Sequence, residues 1–227
     1  MGYTREQILL RLEELASKMP LLYKQRCINY RGKATDTKEY YTEVIAQWLL
    51  EHLELLEQIP MITRQSSYSV DGHNGMPEHP DSNREEELIA MAMMRQGELP
   101  IIGKILDYQT PLKSTQKDKA GKIDLLAYDG TTLRILELKE PDSQETMLRC
   151  VLEGYTYLKT VDKEKLLADF GLPPDTEVAA CPFVFREGFQ WNEMQQKRPY
   201  LKRLMNKLNS KPYYVKQENG TFTVTEG

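Results

Sequence analysis

Two apolar runs joined by a tight turn constrain this chain more than any other feature. KIDLLAY (122–128) and TLRILELK (132–139) read as buried strands, and Asp129-Gly130 between them is a hairpin signal. Both runs carry charge: Asp124 in the first, Glu137 and Lys139 in the second. A charged group inside a buried strand is costly unless it is paired or bound to an ion. Side chains alternate across a strand, so Glu137 and Lys139 share a face. A four-residue connection over 129–132 sets Asp124 directly opposite Glu137, with Cβ atoms ~5 Å apart. Two carboxylates that close repel unless a cation or a proton separates them. Ligation by oxygen alone suits Mg²⁺ or Mn²⁺ and leaves positions for water and a phosphate. Lys139 is a poor ligand for such an ion, so its role is to orient water or neutralise phosphate. The competing reading is a solvated Glu-x-Lys face, with Asp124 as a turn or ion-pair residue. The combination of two charged apolar strands, a tight turn and a following helix weighs against it.

The flanks place this hairpin in an α/β context. Ile8, Leu9, Leu12 and Leu15 form a helical stripe near the N-terminus. Asp36-x-x-Glu39 has capping-box spacing, and Tyr41, Val44, Ile45, Trp48, Leu49 and Leu53 continue at helical intervals, which predicts a helix over 37–58. Residues 66–82, SSYSVDGHNGMPEHPDS, form a polar Gly/Pro loop. Ser82-x-x-Glu85 opens a helix to about Arg95, and 100–112 reads as a strand. After Lys139, Pro141 ends the strand, and Asp142-x-x-Glu145 is expected to cap a helix reaching about Val161. EVAACPFVF (177–185) is a further strand, and a helix over 198–208 precedes a Tyr-rich strand or hairpin. Helix, three strands, helix, strand is an α/β unit with a meander. The expected organisation is an N-terminal helical extension (1–65), a loop (66–81), a core (82–185) and a basic C-terminal segment (186–227).

Composition narrows the class. Three widely spaced cysteines, Cys27, Cys150 and Cys181, make neither a disulfide framework nor a zinc site, and suit buried free thiols in a reducing cytoplasm. The N-terminal segment has charges at helical spacing and reads as neither a signal peptide nor a membrane span. Net charge is −4, but residues 195–216 hold seven Lys or Arg and no acid. Lys113, Lys117, Lys119 and Lys122 likewise face one acid, Asp118. The C-terminal stretch, with Tyr200, Tyr213 and Tyr214, has the composition of a backbone-tracking surface with stacking partners, or of a plain solvated helix. His73 and His79, among Asp71, Glu78 and Asp81, offer a second metal site or simply a surface loop.

GKIDLLAYDG (121–130) followed by LRILELKEP (133–141) resembles the core motif of the PD-(D/E)XK nuclease superfamily. The resemblance covers about 82–185. It implies a restriction-endonuclease-like α/β core, a central mixed sheet flanked by helices. It also implies a Mg²⁺- or Mn²⁺-dependent phosphodiesterase acting on nucleic acid, with DNA the expected partner. Asp124 and Glu137 would bind metal, the backbone carbonyl of Leu138 would be a further ligand, and Lys139 would assist the attacking water. Many members add a Glu from the first core helix. Here Glu85, Glu86 and Glu87 compete; Glu86 shares a face with Ile89 and Met93, while all three also suit a helix N-terminus. Some members carry Gln-x-x-x-Tyr on the next helix, where this chain has Glu153 and Tyr157. Arg149, Tyr157 and Lys122 are the expected substrate contacts, against helix-surface packing as the alternative for the first two. Family members often dimerise, which leaves a homodimer open. The rival from another class is a nuclease-like fold serving as a binding module. An α/β enzyme for small phosphorylated molecules lacks support, because no Gly-rich phosphate loop is present.

Overall fold

A computed structural model of the chain describes residues 2–77, 84–115, 118 and 120–227. The helices are α1 (Arg5–Leu15), α2 (Tyr41–Glu51), α3 (Leu53–Leu56), α4 (Glu85–Gln96), α5 (Met147–Thr160), α6 (Lys163–Asp169), α7 (Phe189–Met194) and α8 (Pro199–Lys207). The strands are β1 (Glu98–Leu99), β2 (Gly103–Pro111), β3 (Lys122–Tyr128), β4 (Thr132–Lys139), β5 (Glu177–Phe185), β6 (Tyr213–Glu218) and β7 (Thr221–Glu226). They form one seven-stranded mixed sheet in sequence order. The β1–β4 meander is antiparallel, β4–β5 and β5–β6 are parallel, and β6–β7 is an antiparallel hairpin. The chain is therefore of the α/β class.

Strand β4 is the hinge between the antiparallel and parallel halves. Helices cover both faces there, so its side chains from Leu133 to Lys139 are all buried, as a central strand requires. Leu133 and Ile135 face a cluster shared with α1, α2, α5 and α8, while Leu136 and Leu138 face a smaller one under α4. Glu137 and Lys139 follow the parity of the first face.

The 1–65 segment is not set apart from the core. Ile8, Leu12, Val44 and Leu49 join the same cluster as Leu148 and Val151 of α5. Two 3₁₀ segments, Ala16–Lys24 and Arg26–Asn29, carry the chain from α1 across α5. Glu43 of α2 accepts from the Tyr200 and Leu201 N–H groups at 3.1 and 2.9 Å. It thereby caps α8, whose own N-cap residue, Arg198, makes no side-chain capping bond.

Several local expectations are corrected. The helix expected over 37–58 begins at Tyr41 and breaks at His52. Asp36 does not cap it; its carboxylate accepts from the Arg5 N–H at 3.0 Å, at the start of α1. Asp142 does not cap α5, whose N-cap is Thr146, accepting from Arg149 N–H at 3.2 Å. The Ser82 cap and His79 lie outside the described residues. The loop after residue 65 is anchored rather than superficial: Tyr68 is fully buried, and its N–H donates to Asp169 at 2.8 Å. Tyr213 and Tyr214 are buried against the sheet, so they offer no stacking surface.

Candidate active site

The β3–β4 turn has the length the sequence implied. Tyr128 pairs with Leu133 and Leu125 with Leu136, so the register continued by one residue sets Asp124 across from Glu137. Asp124 is fixed from two sides: Oδ2 accepts from the Leu138 N–H at 3.0 Å and Oδ1 from Gln109 Nε2 at 3.2 Å. A strand residue turns its N–H and C=O to the same edge, so the Leu138 carbonyl also lies on the β3 side.

Lys139 is the hub of the site. Its ammonium, on a side chain only 6% exposed, lies 2.7 Å from Glu137 Oε1, 3.3 Å from Glu145, 3.6 Å from Glu86 and 3.7 Å from Glu153. Each element supplies one part. Glu86 comes from the first turn of α4, Glu145 from the segment before α5, and Glu153 and Arg149 from α5 itself. Helix α5 packs on β4 and β5 here, with Gly154 facing the Cβ atoms of Ala180 and Glu137. Tyr157 donates its hydroxyl to Glu153 Oε1 at 2.9 Å, and Arg149 Nε lies 2.9 Å from Glu145 Oε1.

Lys139, Glu86, Asp124, Glu145, Arg149, Glu153 and Tyr157 line an open cleft of about 840 Å³, and the buried Glu137 lies behind them against Lys139. Lys122 and the exposed Glu85 stand at its rim, and Glu87 pairs with Arg84 at 3.2 Å. Of the three glutamates on α4, Glu86 is thus the one that reaches Lys139.

The field in the cleft is acidic. Burial pushes the Asp124 carboxyl up to about 7, partly opposed by the Lys139 ammonium. Burial, then the Asp124 charge, holds Glu137 well above the usual carboxylate range. Glu86 is raised too, again by burial first. Burial works against the charge on Lys139, but Glu137, Glu153 and Asp124 outweigh it and keep the ammonium protonated far above neutrality. Five carboxyl groups (Glu86, Asp124, Glu137, Glu145, Glu153) thus meet two cations, Lys139 and Arg149. Such an excess is relieved by protons or by an added cation.

The donor chemistry fits a hard divalent ion. Glu137 Oε2 is buried without a hydrogen-bond partner, and Asp124 Oδ1 is held only by a neutral amide. Among the described residues, however, no three His, Cys, Asp or Glu groups already surround one common metal position. The ammonium of Lys139 occupies the centre of the carboxylates instead.

Sequence reasoning identified Asp124, Glu137, Lys139, Glu86, Arg149, Tyr157 and Lys122, and all border this cleft or its floor. It missed Glu145 and Gln109 and treated Glu153 only as a departure from Gln. The Glu153-x-x-x-Tyr157 spacing held the signal for Glu153. His73 belongs elsewhere: Nδ1 lies 2.6 Å from Asp107 Oδ1, and the ring stacks on Tyr108.

A scan against protein-family models found no match, and neither did searches of curated proteins or of solved structures. No helix among the described residues is long and apolar enough to cross a membrane.

Proposed function

We propose that this chain is a Mg²⁺-dependent phosphodiesterase that cleaves nucleic acid, built on a PD-(D/E)XK, restriction-endonuclease-like core. The observation that carries this reading is the convergence of Asp124, Glu137 and Lys139 from adjacent strands in one acidic cleft, with a buried Glu137 oxygen left unpartnered. The element order α4, β2–β4, α5, β5 agrees with that core.

Asp124, Glu137 and the Leu138 carbonyl are the residues suited to hold Mg²⁺, with Glu86 closing the site from α4. When bound, the ion would acidify a water and stabilise charge developing on the phosphate. Lys139, kept charged by Glu137, Glu153 and Asp124, orients the water or neutralises the phosphate. Glu153 and Tyr157 form a hydrogen-bonded pair beside it, and Arg149 and Lys122 supply positive charge toward the substrate backbone. DNA is the expected substrate and the reducing cytoplasm the expected location; three buried free thiols suit the latter.

The test is cleavage of labelled DNA with Mg²⁺ by the wild type, Asp124→Ala and Lys139→Ala. The wild type should cut and neither variant should. Cleavage that persists in both variants removes the assignment. One observation favours a second reading, a binding module on a nuclease-like fold: the Lys139 ammonium already sits among the carboxylates, where among the described residues no three ligands are pre-arranged around one position. A calorimetric titration with Mn²⁺ that gives no heat would support that alternative.

A further inference from the structure

The cleft continues past its carboxylates. Asn29, Arg31 and Arg149 on its wall also line a second groove of about 930 Å³, completed by Lys24, Arg26, Tyr30 and Phe189. The charge changes sign between the two. The segment KQRCINYRGK (24–33) holds four cations and no acid in a chain whose net charge is −4. Lys24 and Arg26 are exposed and make no ion pair among the described residues, and Arg31 bonds only a neutral group, Gln144 Oε1, at 2.9 Å. Arg149 is paired with Glu145, but the other three cations of the recess have no counter-charge among the described residues, so they repel one another and attract a polyanion.

The segment is also held rigidly against the catalytic helix. Thr146, the N-cap of α5, donates its N–H to Asn29 Oδ1 at 2.7 Å and its hydroxyl to the Ile28 carbonyl at 3.0 Å. Cys27 and Ile28 are buried beneath. The backbone that carries the basic residues is therefore tied to the start of α5, one turn from Arg149. Phe189 presents a partly buried ring in the same groove, with Arg31 above it at 5.8 Å.

We propose that this groove seats the strand of a single-stranded nucleic acid leading into the cleft, its phosphates on Lys24, Arg26, Arg31 and Arg149 and a base against Phe189. A cationic recess with an aromatic wall matches how unpaired strands bind, because only an unstacked base reaches a ring. A duplex keeps its bases stacked and has no use for Phe189. The choice of a nucleic acid rests on the phosphodiesterase reading, but the groove is testable without cleavage.

The experiment is fluorescence anisotropy of a labelled oligothymidylate and of a labelled hairpin duplex, in EDTA, over a range of salt. The wild type should prefer the single strand. Arg26→Ala with Arg31→Ala should weaken it roughly tenfold and flatten the log–log salt slope by about 1.4, two contacts at about 0.7 each. Lys202→Ala with Lys207→Ala on α8 removes equal charge elsewhere and should leave binding near wild type. Unchanged affinity in the Arg26/Arg31 variant, an equal loss in the α8 variant, or a preference for the duplex would each overturn the groove. If Mg²⁺-dependent cleavage still depends on Asp124 in any of those cases, the groove alone has failed. If cleavage is absent while oligothymidylate binding depends on Arg26 and Arg31, the groove stands and the phosphodiesterase reading falls.

Discussion

Replacing Asp124 with Asn should make the protein more stable when no divalent cation is present. The carboxyl is displaced from 3.8 to about 7, chiefly by burial, with Glu86 and Glu153 adding repulsion and Lys139 relief. At 1.36 kcal/mol per pH unit, ionising it in the folded state costs at most about 4 kcal/mol. Water reaching this partly exposed group screens much of that. Asn also loses one of the two bonds from Leu138 N–H and Gln109, worth about 1 kcal/mol. A net gain of about 1–2 kcal/mol remains, equivalent to roughly 2–6 °C in Tm for a chain of this size. The sign depends on pH. An acid whose folded value is raised costs nothing below its unfolded value, and the cost grows as pH rises from 3.8 toward about 7. Thermal melts in EDTA should therefore show the variant above the wild type at about pH 8, and level with it or slightly below at about pH 4. Added Mg²⁺ should stabilise only the wild type and close the gap. A variant that melts below the wild type at both pH values, or by an amount independent of pH, would show that Asp124 is not held among like charges.

Other consequences are equally direct. Glu43→Ala should cost about 2–3 kcal/mol in urea unfolding, because it strips both acceptors from the first turn of α8. Asp129 is the opposite case to Asp124. Burial would raise its carboxyl, but the N–H groups of Thr132 and Thr131 and the Arg134 guanidinium hold it well below the usual range. Its contribution is present above its unfolded value and lost as pH falls. Asp129→Asn should therefore destabilise by about 1 kcal/mol at neutral pH, a difference that fades below about pH 4 in acid-unfolding curves. Burial pushes the Cys181 thiol up to about 12 and raises Cys27 and Cys150 as well. A colourimetric thiol reagent at neutral pH should find no reactive cysteine in the native protein and all three after denaturation; fast native labelling would contradict this.

The hairpin was legible because its determinants are local. Strand parity and a four-residue turn suffice to bring Asp124, Glu137 and Lys139 to one face, and no distant residue alters that. Capping was misread where a distant partner won. Asp36 serves the N-terminus of α1, and Glu145 turns to Lys139 and Arg149 while Thr146 takes the cap of α5. The break at His52 has a local setting instead: its Nδ1 lies 2.8 Å from the carbonyl of Trp48, one turn back in α2, and its ring stacks on Trp48. Glu153 looked like a lost Gln in sequence. In space it is a carboxylate 3.7 Å from Lys139, placed by α5 packing on β4. The basic segment 24–33 carries no motif that marks it in sequence. Only its attachment to Thr146 sets it beside the cleft.

The proposal that Asp124 and Glu137 share one cation is met most directly by anomalous diffraction from crystals soaked in Mn²⁺. A peak between the Asp124 carboxylate and Glu137 Oε2, on the Leu138 carbonyl side, is the predicted result. A clean map there with both side chains ordered, or manganese bound only elsewhere, would contradict it.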